Sequence, residues 1–236
     1  MALPPDPLES FQREVDENLR RDQLADFGKK YGKWIALGVF LFLVAVGGSL
    51  FWQDRVIKKQ EAQAEELADI VKDLGAGQKD GADQRLAALA EEGKGATRAA
   101  ALMASAALKL QSADREGAIA GYKAVAEDDD LPQPYRDLAL IRQTLLEIDS
   151  NLIQPDAVIA RMQPLTVPES PWYGTAGEIT ASALLKAGRK DEAGKLFAAI
   201  AENASVPQSL RERAADVALS LGATVNEGAL APAANQ

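Results

Sequence analysis

The chain has 236 residues, of which 47% are hydrophobic, 26% charged and 6% aromatic, and these values suit a folded protein and exclude a wholly disordered one. The formal net charge is −9, and from Asp54 onward 28 Asp and Glu oppose 20 Lys and Arg, so we expect no nucleic-acid partner. Cysteine and histidine are both absent, which excludes a disulfide framework, a Cys- or His-ligated zinc site and the commonest general base of enzymes.

The first strong signal along the chain is an uncharged run of 19 residues, WIALGVFLFLVAVGGSLFW, from Trp34 to Trp52. As a helix this run is about 28 Å long, close to the ~30 Å hydrocarbon core of a bilayer, and a tryptophan at each end suits the headgroup level. A core helix of a soluble protein normally carries a polar stripe, and a cleaved signal peptide usually has a shorter apolar run nearer its start. We therefore predict a transmembrane helix over residues 34–53.

The distribution of positive charge on either side of this run predicts its orientation. The 15 residues before it (19–33) contain five Lys and Arg, and the 15 after it (53–67) contain three. Because the more basic flank stays inside, residues 1–33 are predicted to be a cytoplasmic tail and the larger C-terminal part to lie on the opposite side. A single span without an internal ionisable residue argues against a transporter or a proton relay.

After the span, a helical extension is predicted over residues 54–80. No glycine or proline occurs between Gly48 and Gly75. The apolar residues of this stretch follow the i, i+3, i+4, i+7 spacing of a helix face: Leu67, Ile70, Val71 and Leu74. A flexible linker around Gln60–Ala64 is the alternative.

Residues 81–222 show one helical pattern after another, separated by turn signals rich in glycine, proline and aspartate. No segment alternates apolar and polar residues as a half-buried strand does. The predicted fold is therefore all-α: a single N-terminal transmembrane helix followed by a solenoid of helical hairpins. Residues 223–236, rich in alanine, glycine and asparagine, are predicted to be a disordered tail.

Two stretches of this domain align without gaps: ALMASAALKLQSADREGAIAGYKAVAEDDD from Ala101 and AGEITASALLKAGRKDEAGKLFAAIAENAS from Ala176. The matched pairs include Ala106 with Ala181, Ala118 with Ala193, and Tyr122 with Phe197. The pattern resembles the tetratricopeptide repeat, in which small residues let paired helices approach closely and an aromatic ring fills the gap between repeats. A generic array of helical hairpins is the alternative, because Ala113 stands where glycine usually ends the first helix. In addition, the copies lie 75 residues apart instead of the ~68 of two regular repeats, so the middle unit (138–164) is irregular.

The order of parts, with the segment EVDENLRRDQLADFGKKYGKW directly before the span, is similar to the YfgM-like family of bitopic bacterial inner-membrane proteins. This resemblance implies a periplasmic repeat domain that is ancillary to the Sec translocon. It also implies association with a membrane-anchored periplasmic chaperone or with client polypeptides, in support of envelope protein traffic.

The first helix of each repeat lines the concave face of such an array, and this predicts a partner-binding groove. The residues placed towards the groove are Met103, Leu110, Gln111, Glu178, Ser182 and Leu185. Met103 and Leu110 are equally good candidates for ordinary core packing, because a helical stripe alone does not separate the two roles.

Other motifs carry no chemistry. The run Asp128–Asp130 lacks the spacing and the closing glutamate of a calcium loop, so it is interpreted as a solvated loop. No catalytic constellation is present, and we expect neither enzymatic activity nor a metal, cofactor or small-molecule substrate. The predicted function is a membrane-tethered protein–protein interaction module. The alternatives are a scaffold for cell-division or wall-synthesis complexes and, from another class, an envelope enzyme that uses paired carboxylates.

Overall fold

The computed structural model describes the backbone of residues 7–226 and the side chains of residues 33, 37, 38 and 40–226. Every regular element in that part of the chain is helical, which confirms the all-α prediction. The helices are α1 Pro7–Gly75, α2 Ala82–Glu92, α3 Gly95–Gln111, α4 Arg115–Glu127, α5 Gln133–Asp149, α6 Pro155–Met162, α7 Tyr173–Lys186, α8 Lys190–Glu202 and α9 Gln208–Ser220, with a short 3₁₀ helix at Gln163–Leu165. The chain divides into two compact units, 1–61 and 62–236. The start of the predicted cytoplasmic tail (1–6), the side chain of Trp34 and the end of the predicted C-terminal tail (227–236) lie outside the described residues.

In the first unit, the large apolar side chains of α1 are not covered by protein. Phe40, Leu43 and Phe51 are 62%, 61% and 62% exposed, whereas a helix in a soluble core buries such side chains. Within the described residues, α1 is the helix that is long and apolar enough to cross a membrane, and none of its apolar window is buried. Beyond the apolar run, Lys58 donates to Asp54 at 2.8 Å, one helical turn away, a pairing that stabilises the continuing helix.

In the second unit, the last turns of α1 form part of the folded core. Ile70 is fully buried, and it belongs to one apolar cluster with Leu86 and Leu89 of α2. Arg85 of α2 donates to two carboxylates of α1, Glu66 at 2.6 Å and Asp73 at 2.9 Å. The end of α1 therefore serves as the first helix of the repeat array.

The remaining helices stack in chain order. Consecutive helices pack against each other from α2 to α5 and again from α6 to α9. Contacts between α3 and α5, and between α7 and α9, join each hairpin to the next. This pattern of nearest-neighbour contacts is that of a solenoid built from helical hairpins.

Close helix packing in both repeat copies depends on small residues. Ala106 and Ala118 in the first copy, and Ala181 in the second, are at most 1% exposed. A Cβ atom added to Gly121 would lie 3.0 Å from the Cβ atom of Ala106, and one added to Gly177 would lie 2.7 Å from Ile200 Cδ1. The helices of each hairpin therefore approach as closely as these side chains permit.

The middle hairpin, α5 and α6, is joined differently, through long polar side chains. Arg161 of α6 donates to Glu147 of α5 at 2.5 Å, and Gln143 donates to the other oxygen of Glu147 at 2.6 Å. Gln143 is 5% exposed and Thr144 is fully buried. A buried polar network of this kind holds the helices only while its hydrogen bonds are satisfied.

At the C-terminal end, α9 is followed by Gly222, whose φ of 82° reverses the chain. Ala223 and Val225 then pack against the last core cluster, and the backbone N–H of Asn226 donates to Glu202 at 2.9 Å. The first residues of the predicted disordered tail are thus held against α8.

Candidate functional site

The second unit contains an apolar cavity of about 500 Å³. Its walls come mainly from the first helices of successive hairpins, α5, α7 and α9, and from the loop between α5 and α6. The apolar side chains that line it are Leu145, Ile148, Ile153, Pro155, Val158, Ile179, Ala183, Phe197 and Val217. A concave apolar site of this volume, with a few polar groups at its edge, is the usual form of a binding pocket.

A residue in the left-handed backbone conformation turns the loop between α5 and α6 towards the cavity. Asn151 has a φ of 54°, a conformation that asparagine tolerates better than most residues. The N–H of Leu152 then donates to the carbonyl of Glu147 at 2.8 Å and closes the end of α5. As a result, Ile153 and Pro155 lie in the cavity wall.

One face of α7 supplies the polar side of the cavity. Glu178, Ser182 and Lys186 follow each other at intervals of four residues and all line it, because residues four apart lie on the same face of a helix. The small residue Ala183 lines it as well. Lys186 was not among the residues predicted from the sequence, although it continues the same four-residue spacing.

Glu178 is held in a two-pronged ion pair. Arg213 of α9 donates from Nε to Glu178 at 2.8 Å and from Nη2 to the second carboxylate oxygen at 2.7 Å. These hydrogen bonds raise the pKa of Arg213 above its ordinary value. Since Arg213 is 62% exposed, the pair orients the side chains more than it stabilises the fold.

Glu178 is the single carboxylate among the described residues that line the cavity. Its charge is paired with that of Arg213, and the described lining holds no second carboxylate of the kind that a paired acid and base require. Among the side chains that the structure describes (33, 37, 38 and 40–226), no group of three or more acidic residues could hold a metal ion.

The six residues predicted to form one groove lie in different surroundings. Glu178 and Ser182 line the cavity together. Leu185 packs against the C-terminal core cluster. Met103 and Leu110 are partly buried against the cluster that α3, α4 and α5 share, and Gln111 is exposed at the end of α3.

In the acidic loop after α4, the carboxylates of Asp128 and Asp129 form local hydrogen bonds and ion pairs. Asp128 accepts a hydrogen bond from the N–H of Asp130 at 3.0 Å and lies 3.3 Å from Arg98. Asp129 pairs with Arg136. The carboxylates of Asp128 and Asp129 thus fasten the loop to neighbouring helices, which agrees with the interpretation of this run as an ordinary loop.

Comparison with protein families finds the tetratricopeptide repeat-like domain over residues 26–217, from within α1 to within α9. Neither the curated proteins nor the solved structures yield a match. The family match covers most of the chain and agrees with the stacked hairpins and with the small and aromatic residues of the two copies. The chain belongs to the tetratricopeptide repeat-like domain family.

Proposed function

We propose that this protein is a membrane-anchored interaction module whose repeat domain holds a segment of a partner polypeptide in the cavity between α5, α7 and α9. The observation that carries the proposal is the open apolar cavity on the helices that line the inner face of a repeat array. Family membership supports the same conclusion, because such repeats present extended concave surfaces to protein partners.

The anchor in this proposal is the apolar part of α1, residues 34–53. The described side chains of this segment have no protein cover, and a bilayer supplies the cover that such a surface needs. The five-to-three difference in flanking Lys and Arg supports a cytoplasmic N-terminus and a periplasmic repeat domain. We propose further that the partners belong to the Sec translocon and its periplasmic chaperones, in line with the resemblance to the YfgM-like family.

The orientation is tested with two C-terminal fusions. Alkaline phosphatase folds only outside the cytoplasm, so its fusion should be active. A fluorescent protein that folds only in the cytoplasm should stay dark in the matched fusion. The opposite pair of results would refute the orientation.

The binding site is tested by photo-crosslinking in intact membranes. A photoreactive amino acid at Ser182, which lines the cavity, should trap a second protein. The matched control is the same amino acid at Lys195, an exposed residue of α8 that does not line it, and this position should trap far less. Equal trapping from both positions, or trapping from Lys195 alone, would contradict the proposed site.

Mass spectrometry of the trapped protein then tests the proposed partners. Translocon or chaperone subunits would support the proposal. Cell-division or wall-synthesis proteins would favour the alternative that the chain is a scaffold for those complexes.

A further inference from the structure

The two repeat copies differ in side-chain size at a position that lines the cavity in the second copy. Leu108 of α3 corresponds to Ala183 of α7, 75 residues later. Leu108 is 4% exposed and fills the core between α3, α2 and the end of α1. Ala183 is equally buried, yet it lines the cavity. The missing part of a leucine side chain at this position leaves room for an apolar group from outside.

The copies also differ in charge at the same end of the helix. Gln111 of α3 corresponds to Lys186 of α7, and Lys186 lines the cavity. Among the described residues Lys186 makes no ion pair, and the other two charged residues of the lining, Glu178 and Arg213, neutralise each other. The cavity therefore carries one unopposed positive charge, although the chain as a whole has a net charge of −9.

The surface around the cavity is apolar as well. Leu145, which lines it, is 38% exposed, and Leu152, between the lining residues Asn151 and Ile153, is 65% exposed. Exposed leucines beside an apolar cavity extend the area over which a bound segment can bury its own apolar side chains.

We infer that the cavity accepts one bulky apolar side chain of a partner polypeptide, admitted by the small Ala183, while Lys186 binds an acidic side chain of the same segment. This inference rests on the proposed function and adds the chemistry of the segment that is bound. The charge complementarity between Lys186 and a carboxylate favours a segment with an internal aspartate or glutamate.

The first test uses short synthetic peptides and the full-length protein in detergent micelles. Each peptide is blocked at both ends and contains one leucine or phenylalanine anchor, followed at a fixed spacing of one to four residues by aspartate, asparagine or lysine. The three peptides that share one spacing form a set. In at least one set, the aspartate peptide should bind about two- to fivefold more tightly than the asparagine peptide at low salt. This preference should shrink in 1 M salt, where charges are screened over about 3 Å.

Lys186→Gln places in α7 the residue that α3 has, and it should remove the preference for the aspartate peptide. The matched control, Lys195→Gln, removes an exposed positive charge of α8 outside the cavity and should leave the preference intact. A peptide that has a free C-terminal carboxylate in place of the aspartate separates the two sources of negative charge. Tighter binding of that peptide, or equal binding of the aspartate and asparagine peptides in every set, would overturn the inference.

The second test fills the cavity from within. Ala183→Leu should weaken peptide binding about tenfold or more, because the cavity no longer accommodates the apolar anchor. If leucine distorts the helix packing, the smaller substitution Ala183→Val still tests the role of this position. It should weaken binding to an intermediate degree. Unchanged binding by both variants would contradict the role of Ala183.

The two proposals fail in different ways. Trapping of a partner from Ser182 without any peptide preference would refute the chemistry inferred here and leave the proposed function standing. No trapping from Ser182 and no peptide binding would refute both.

Discussion

The hairpins α3–α4 and α7–α8 are built on the same framework with different surfaces. In both, the helices end in the same pattern of loop hydrogen bonds: the N–H of Asp114 donates to the carbonyl of Lys109 at 2.9 Å, and the N–H of Arg189 donates to that of Leu184 at 2.8 Å. The loops after α4 and α8 match as well, and each leads to a proline that precedes the next helix.

The differences lie in the side chains and not in these backbone hydrogen bonds. Leu108 fills a core while Ala183 opens a cavity. Asp114 caps α4 with its side chain, whereas Arg189 does not cap α8 and instead pairs with Glu192. The two hairpins therefore keep the same framework with side chains of different size and charge at matching positions, because packing at a few small positions is enough to maintain the fold.

The largest loss of stability is expected from a substitution at Leu108, which fills the core of the first repeat copy. Leu108→Ala should lower the free energy of unfolding by about 2–5 kcal/mol, because it creates a cavity among core residues that are at most 6% exposed. The measurement is urea unfolding of the full-length protein in detergent. Ala183→Leu, the reverse change at the matching position, should cause no comparable loss. Similar losses from both substitutions would show that the copies do not differ in this way.

The next largest change in stability is expected from substitutions in the turns between the paired helices. Gly188 has a φ of 77°, and nothing lies within 4 Å of where its Cβ would be. Gly188→Ala should therefore cost about 1 kcal/mol through backbone strain alone. Ala113 already holds this left-handed conformation with a φ of 64°, so Ala113→Gly should change stability in the opposite direction by at most about 1 kcal/mol.

Thermal unfolding of both turn variants measures this difference. Gly188→Asn is the control, because asparagine tolerates a positive φ, and it should lose less than the alanine variant. A stabilising effect of Gly188→Ala would contradict the assigned turn geometry.

The cap of α4 should contribute a similar or slightly smaller amount. The carboxylate of Asp114 accepts a hydrogen bond from the N–H of Gly117 at 2.9 Å. Asp114→Ala should cost about 0.5–2 kcal/mol, whereas Asp114→Asn should cost less, because asparagine also caps helices. Circular dichroism during thermal unfolding compares the two variants, and equal losses would show that the cap does not stabilise α4.

The smallest effect concerns pH and the second copy. Hydrogen bonds from Arg189 lower the pKa of Glu192 below its ordinary value of 4.5. The stabilisation from this pair is therefore complete above about pH 4.5 and is lost as the pH falls through the lower pKa of the folded state. Arg189→Gln removes the pair, so the midpoint of thermal unfolding should vary less with pH in this range. A pH profile identical to that of the unsubstituted protein would contradict the assigned pair.

Several features of the fold could be predicted from the sequence because they depend on neighbouring residues alone. The uncharged run from Trp34 to Trp52, the helical periodicity and the small residues at Ala106 and Ala181 each indicate local geometry. The four-residue spacing also placed Glu178 and Ser182 on one face of α7, and both line the cavity.

The cavity itself could not be predicted, because its walls come from helices far apart in the sequence. Periodicity shows which stripe of a helix is apolar but not what that stripe contacts. For this reason Met103 and Leu110 had two equally good interpretations, and their place against the core cluster of α3, α4 and α5 is known only from the packing. Arg213 could not be assigned to the site from the sequence either, because its ion pair with Glu178 spans 35 residues of sequence.

The amino-acid sequence by itself thus determined the long apolar helix, the helical class and the two repeat copies, since each follows from composition and from spacing within a few helical turns. Only the tertiary structure decided that the end of α1 belongs to the repeat core through Ile70 and Arg85. It also decided that one repeat is filled while the other is open. The physical reason is that a cavity depends on the summed sizes of side chains from several helices, and no single helix carries that sum.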